Sequence, residues 1–246
     1  MCPMETSPSK TLGYYLGRLS EERRERGLVG ALAQTSRFFA NKMFVTNKAT
    51  WYRLDVENRA LSPQCEAFEF GLMDFLEASD FFEANHHSFS WMFIEQELEV
   101  ARATAHRFPC LRDGGKVIGY IKFGIERVFV NDFGQVMAIP PDAAFIYDTF
   151  IMPTHRSEGL AKYLISRTVD FAKENGFRCV WCHIPAWNKP SISAFTHAGF
   201  EAVGKVRYLR VLRKEFLLKR PRNSAFLVMG PANGSSVLQL RDCVIR

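Results

Sequence analysis

The segment Arg156-Ser-Glu-Gly-Leu-Ala161 lies between an apolar run, Ala143–Ile151, and a long amphipathic stretch, Gly159–Asn175. A strand that turns into a helix through a glycine makes a cradle for an anion. Gly159 lets the backbone approach a ligand closely, the first amides of the helix lack partners within it, and the helix N-terminus favours negative charge. Arg156 adds a guanidinium suited to charge-assisted bonds with phosphate oxygens. One Gly and one Arg also occur in ordinary strand-to-helix turns, so the surrounding residues must decide.

Two titratable side chains lie near this turn. Asp148 stands three residues before Ile151, near the end of the apolar strand, and His183 sits in a second apolar strand, Cys179–Ile184. Either suits the receipt of a proton from a reacting group, and Asp148 equally suits holding an amine. Each also has a plain structural use: a carboxylate bonded to backbone amides, or an imidazole satisfied in the core. Cys179 and Cys182 form a CxxC, but side chains three apart on a strand point to opposite faces. His86-His87 has no further ligand nearby in the sequence, so no metal site is expected.

The elements that must position these groups follow from periodicity. Leu160, Ala161, Leu164, Ile165, Phe171 and Ala172 share one face of a helix, closed by Gly176. Asp113-Gly114-Gly115 between apolar segments predicts a hairpin over Cys110–Phe123, with strand character continuing towards Val130. Trp51–Val56 reads as a first strand. Between Pro63 and Phe108 the spacing of Phe68, Leu72, Phe75 and Leu76, then of Phe93, Ile94, Leu98 and Ala101, predicts two helices. Lys189–Ala198 reads as a short helix and Val203–Leu212 as a strand, so strands and helices alternate in an α/β pattern. Pro221–Arg246, punctuated by Asn, Gly and Ser, reads as a tail.

Composition sets the outer bounds. The chain has 246 residues, 47% hydrophobic and 24% charged, enough for one mid-sized domain with additions. The 22 Phe fill a large core or line a site for an apolar ligand. A net charge of +6 suits a phosphorylated cofactor, an acidic membrane surface or nucleic acid, but no nucleic-acid-binding motif accompanies it. No apolar stretch approaches the roughly 20 residues of a membrane-spanning helix, and Met1–Lys10 lacks the pattern of a signal peptide. The scattered cysteines imply reduced thiols and a cytoplasmic protein. Residues 1–47 form a basic, amphipathic extension able to lie on an anionic membrane face. Residues 48–220 form the main domain and residues 221–246 the tail.

With these elements in order, the sequence resembles the GNAT superfamily of acyl-CoA N-acyltransferases. Arg156, Gly159 and Ala161 match its pyrophosphate loop, Gln/Arg-x-x-Gly-x-Gly/Ala. Asn188-Lys-Pro-Ser191, running on to Gly199-Phe200, is similar to its Asn-x-x-Ser/Ala…Gly-Phe element. The resemblance implies a splayed mixed, mostly antiparallel sheet flanked by helices, here with an N-terminal helical extension. It implies acyl-CoA as co-substrate and direct attack by an amine, without a covalent enzyme intermediate. Cofactor contacts would come from Phe150, Ile151 and Met152 on the strand, from Arg156, Ser157, Glu158, Gly159, Leu160 and Ala161 in the turn, and from Asn188 and Ser191. Where many members carry a Tyr as thiolate proton donor this chain has Phe195, leaving Ser191, Tyr208 or solvent for that step. Two other outcomes stay open: a long-chain transferase acting on an amino-lipid at the inner membrane face, and an acyl-CoA-binding module without catalysis.

Overall fold

The computed structural model describes residues 44–57, 67–85, 89, 94–156, 159–211, 214–220, 226–232 and 235–240. The chain divides into two units, residues 1–46 with 209–216, and residues 47–208 with 217–246. The smaller contributes only strand ends to the described residues, so the architecture below is that of the larger. The expected N-terminal extension lies outside the described residues up to 43, and the first strand, β1 (Phe44–Asp55), begins before the expected boundary at 48.

β1 is followed by β2 (Glu69–Met73), α1 (Phe75–Asn85), α2 (Glu95–Ala103), β3 (Phe108–Asp113), β4 (Lys116–Gly124), β5 (Arg127–Val130) and β6 (Gln135–Ala138). Then come β7 (Ala143–Ile151), a 3₁₀ turn (Pro153–His155), α3 (Leu160–Glu174), β8 (Cys179–Pro185) and α4 (Lys189–His197). β9 (Glu201–Val211), β10 (Lys214–Arg220), β11 (Leu227–Ala232) and β12 (Ser235–Leu240) complete the order. The main sheet runs β10-β9-β1-β8-β7-β4-β3-β2. β7 and β8 pair in parallel, whereas β1–β8, β2–β3, β3–β4 and β4–β7 are antiparallel. This is the mixed, mostly antiparallel sheet the sequence implied.

Local chemistry sets several boundaries. Gly114 and Gly115 take φ of 53° and 80°, the mirror-image turn that matches strand twist in a two-residue hairpin. The amide of Glu77 donates to Asp74 Oδ1 at 2.8 Å, which starts α1 after β2 rather than before it. The helix expected around Phe68 and Leu72 is therefore replaced by β2, an edge strand paired with β3 from Glu69↔Arg112 to Met73↔Phe108. Phe68 and Leu72 meet a helical spacing only because the five-residue strand is too short to show its own period.

One face of the sheet buries Tyr52, Ile121, Ile146, Ile151, Val180 and Ile184 against Leu160, Leu164, Ile165 and Val169 of α3. Each such side chain contributes about 1.5–3 kcal/mol when taken out of water. The opposite face carries Phe108, Cys110, Tyr120 and Phe150 beneath Ala78 and Phe82 of α1 and Leu98 and Ala101 of α2. Towards β1 and β8 the same face meets aromatic side chains from a second sheet, ordered β11-β12-β6-β5, and its turns: Phe226 stacks on Trp181 at 6.0 Å, and Phe133 on Trp51 at 6.2 Å. The expected tail thus holds two strands of this sheet. Gly230-Pro231 falls in β11, and as an edge strand it tolerates a proline that lacks an N–H.

Candidate active site

The site begins where β7 and β8 part. Their pairing runs only from Ala143↔Cys179 to Ile146↔Cys182, although β7 continues to Ile151 and β8 to Pro185. The cause lies on the other edge of β7. Lys122 faces Asp148 and Phe123 faces Ile146, so Tyr147 is an extra residue in the ladder with β4. A bulge bends its strand, and this bend begins at the residue after the last β8 partner. Beyond Ile146 and Cys182 the two strands no longer pair, which leaves a gap between their ends.

Backbone alternation shows which groups face it. Met152 donates its N–H to Ile118 O at 2.8 Å, towards β4. Phe150, paired with Tyr120, turns the same way, and Ile151 between them directs its N–H to the gap. Of the three backbone groups anticipated from the sequence, Ile151 thus has the orientation to meet a ligand there. Its carbonyl accepts from Arg156 Nε at 3.0 Å, while the guanidinium lies 5.4 Å from the Phe150 ring centre. Arg156 is exposed but fixed by this bond and stack.

Beyond Ile151 a groove of about 380 Å³ runs between the start of α3 and the face of α4. Gly159, Leu160, Ala161 and Lys162 form one wall, and Pro190, Ser193, Ala194 and His197 the other, with His155 and Arg156 at the rim. Gly159 takes φ of 76° immediately before the helix, and a Cβ there would meet nothing within 4 Å. The glycine therefore serves backbone conformation and open approach rather than packing. Arg156 and Lys162 give the groove positive charge, matching a polyanion. Ser157 and Glu158 lie outside the described residues, as do His86 and His87.

The α4 wall corrects the sequence reading in one respect. Asn188 caps α4, its side chain accepting from Ser191 N at 3.3 Å, while the groove is lined by Ser193 and His197 rather than Ser191. Residues 190, 193, 194 and 197 follow the i, i+3, i+4, i+7 rule for one helix face, a signal present in the sequence. Phe195 points the other way, into the core, edge-on to Phe200 at 5.0 Å. Tyr208 is fully buried on the face away from α3, 5.0 Å from Phe133, with Gln135 Nε2 donating to its hydroxyl at 3.5 Å. It does not reach the groove.

On the α1–α2 face, Asp148 sits in a charged cluster that the sequence reading missed. Tyr120 donates to Asp148 Oδ2 at 2.8 Å. Lys122, 1% exposed, lies 2.7 Å from Glu97 Oε2 and 3.6 Å from Asp148 Oδ2, with its ammonium 5.0 Å from the Phe82 ring centre. Burial raises the pKa of Glu97, opposed by Lys122, and burial together with Asp148 holds the Tyr120 phenol well above its usual range. Two carboxylates thus share one ammonium. A Lys in the midst of Val117–Phe123 was the available signal, since such a lysine needs a partner.

His183 is the first β8 residue beyond the pairing with β7, and its Nε2 lies 3.0 Å from Asp132 Oδ2. Cys179 and Cys182 are both buried, and neither is in a disulfide. Burial raises the Cys182 thiol well above its usual range and Cys110 to about 11, so both are poor nucleophiles at neutral pH. Among the described residues no group of three metal-ligating side chains occurs, and no helix is long and apolar enough to cross a membrane. Phe82, Phe108, Phe133 and Phe145 fill the interior, which accounts for part of the high Phe count.

Comparison with known proteins agrees with this architecture. The profile of the acetyltransferase (GNAT) family matches residues 72–200, just over half of the chain. A streptothricin acetyltransferase from Streptomyces lavendulae is 34% identical over 59 residues, which cover 24% of this chain and 31% of that protein. The match thus spans about a third of its length. A fungal GCN5-related glucosamine N-acetyltransferase region, within a multi-domain β-N-acetylglucosaminidase, superposes with a TM-score of 0.50 at 13% identity, covering 75% of this chain and 23% of the other. An aminoglycoside N-acetyltransferase solved with CoA gives a TM-score of 0.42 at 19% identity, over 57% of this chain and 92% of that one.

Proposed function

The chain belongs to the acetyltransferase (GNAT) family, and from that premise we propose that it transfers the acetyl group of acetyl-CoA to a primary amine. The observation that carries this reading is the cationic groove at the start of α3, which leads to the gap between β7 and β8. The phosphates of acetyl-CoA would lie against the amides following Gly159, with Arg156 and Lys162 offsetting their charge. The amide-bearing pantetheine arm would run along β7 in the gap, as an extra strand does at an open edge. That places the thioester near Ile151, whose N–H can stabilise the oxyanion of the tetrahedral intermediate.

Amine nitrogen attacks the thioester carbonyl carbon, the C–N bond forms, and the C–S bond breaks to release coenzyme A thiolate. Among the described residues, burial holds the Cys110 and Cys182 thiols protonated, so neither offers a nucleophile for an acyl-enzyme. Asp148 Oδ2 already receives Tyr120 and lies near Lys122, which suits it to holding the substrate amine in place. With Glu97 beside them, the cluster offers more negative than positive charge to a cationic acceptor. Streptothricin and aminoglycosides, named in two of the proteins above, belong to that chemical class. Calorimetric titration of the full chain with acetyl-CoA tests the reading: saturable binding that Arg156→Ala weakens tenfold or more supports it, and an absence of binding overturns it.

A further inference from the structure

His183 is the first residue of β8 beyond Cys182, the last partner of β7. Val180, Cys182 and Ile184 bury towards α3, so Trp181 and His183 project from the opposite face. The His183 ring is stacked with Trp51 at 5.3 Å, Phe145 at 5.6 Å and Phe133 at 6.0 Å, and its side chain is 9% exposed. These aromatic planes fix the ring orientation. Asp132, in the turn between β5 and β6, accepts from Nε2, and that bond lowers the pKa of its carboxyl. With Nε2 carrying hydrogen, the neutral imidazole keeps its lone pair on Nδ1. That nitrogen is buried and has no hydrogen-bond partner among the described residues. A buried acceptor left unpaired destabilises the fold, and a substrate proton would relieve that.

Among the described residues, charged groups around the ring are few. Arg53 shares this face on β1, but its guanidinium lies over the Trp181 ring, 5.7 Å from the centre. The Tyr208 phenol on β9 lies behind Phe133. β7 contributes Phe145, with Asp148 farther along the same strand. Asp132 is therefore the carboxylate that directly opposes the ring.

We propose that Asp132 and His183 form a proton-accepting pair for the transfer, Asp132 fixing the ring tautomer and His183 Nδ1 taking the proton of the attacking amine. As the C–N bond forms, that proton moves to Nδ1 and the resulting imidazolium is balanced by the Asp132 carboxylate. The departing coenzyme A thiolate then receives it, so the acceptor loses one proton and coenzyme A gains one. Asp132 is the positioning residue and His183 the catalytic one. The assignment rests on the transferase reading above and names the base that it requires.

The test uses the full chain with acetyl-CoA and the best acceptor among spermidine, tobramycin and glucosamine. His183→Gln should bind acetyl-CoA within twofold of wild type, lower kcat by 100-fold or more, and lose the acid limb of the kcat/KM profile. Asp132→Asn should lower kcat about tenfold or more and displace that limb, which a purely structural change would not do. Independently of turnover and of the variants' folding, ring ¹⁵N spectra of the wild-type chain should show His183 protonated at Nε2 and bare at Nδ1. A proton on Nδ1, or unchanged pH profiles in both variants with acetyl-CoA binding intact, would overturn the pair alone. Failure of the wild type to bind acetyl-CoA would overturn the transferase reading and the pair with it.

Discussion

Substituting Gly159 separates two demands that the groove places on one residue. Its φ of 76° costs an L-residue about 1–2 kcal/mol, so Gly159→Ala should lower stability by that amount. For a chain of this size the thermal midpoint should fall about 2–4 °C per kcal/mol. Gly159→Asn should recover much of this loss, because Asn enters the left-handed region more readily. Binding should not recover. The new Cβ would stand in open space on the groove wall, where the proposed phosphate position lies. Loss of one charge-assisted bond, about 1.5–3 kcal/mol, predicts roughly a 10- to 100-fold weaker Kd for acetyl-CoA in both variants. Thermal unfolding measures the first effect and calorimetric titration the second. A stable Gly159→Asn protein that binds acetyl-CoA as tightly as wild type would refute the phosphate assignment.

Other substitutions probe other parts of the site. Arg156→Lys should restore only part of the affinity lost in Arg156→Ala, because the Nε bond to Ile151 O and the stack on Phe150 need a guanidinium; titration of both variants checks this. Asp148→Asn should lower kcat at least tenfold while leaving acetyl-CoA affinity unchanged, and it should fold, since Lys122 keeps Glu97 at 2.7 Å; steady-state kinetics and calorimetry together check this. His106 is held neutral by burial, which lowers its pKa to about 4, with one nitrogen 2.6 Å from Arg127 O and the other 3.0 Å from the Tyr147 hydroxyl. Because the folded pKa lies below the unfolded value of about 6.5, the unfolded chain takes up the proton first on acidification. His106 should therefore cost about 3 kcal/mol of stability between pH ~6.5 and ~4, a slope that His106→Gln abolishes in denaturant titrations at stepped pH.

The parts of the fold that the sequence made legible are those with local causes. Asp113-Gly114-Gly115 specifies its hairpin through turn geometry, and Leu160, Leu164, Ile165 and Ala172 specify α3 through period. β2 was hidden because five residues at a sheet edge show no full alternation, while Phe68, Leu72 and Phe75 happen to fit a helical spacing. The second sheet was hidden because β12 pairs with β6 across about a hundred residues, and Gly230-Pro231 and Asn233-Gly234 look like punctuation. At the site, the Gly159 turn proposed to take phosphates stood out as chemistry in one short segment. The partners of Asp148 and His183 were not, because Glu97, Lys122 and Asp132 come from separate elements that only the folded chain brings together.

Direct transfer from acetyl-CoA to an amine is read out by amine-dependent release of the free coenzyme A thiol. The full chain is incubated with acetyl-CoA and each of a set of primary amines, thiol is followed by a chromogenic reagent, and the products are weighed by mass spectrometry. Direct transfer predicts thiol release that saturates in both substrates, depends on the amine, and matches mole for mole one acetyl group gained by that amine. Acetyl-CoA that binds but is never cleaved above the uncatalysed rate, or an acetyl group that accumulates on a side chain of the protein, would contradict it.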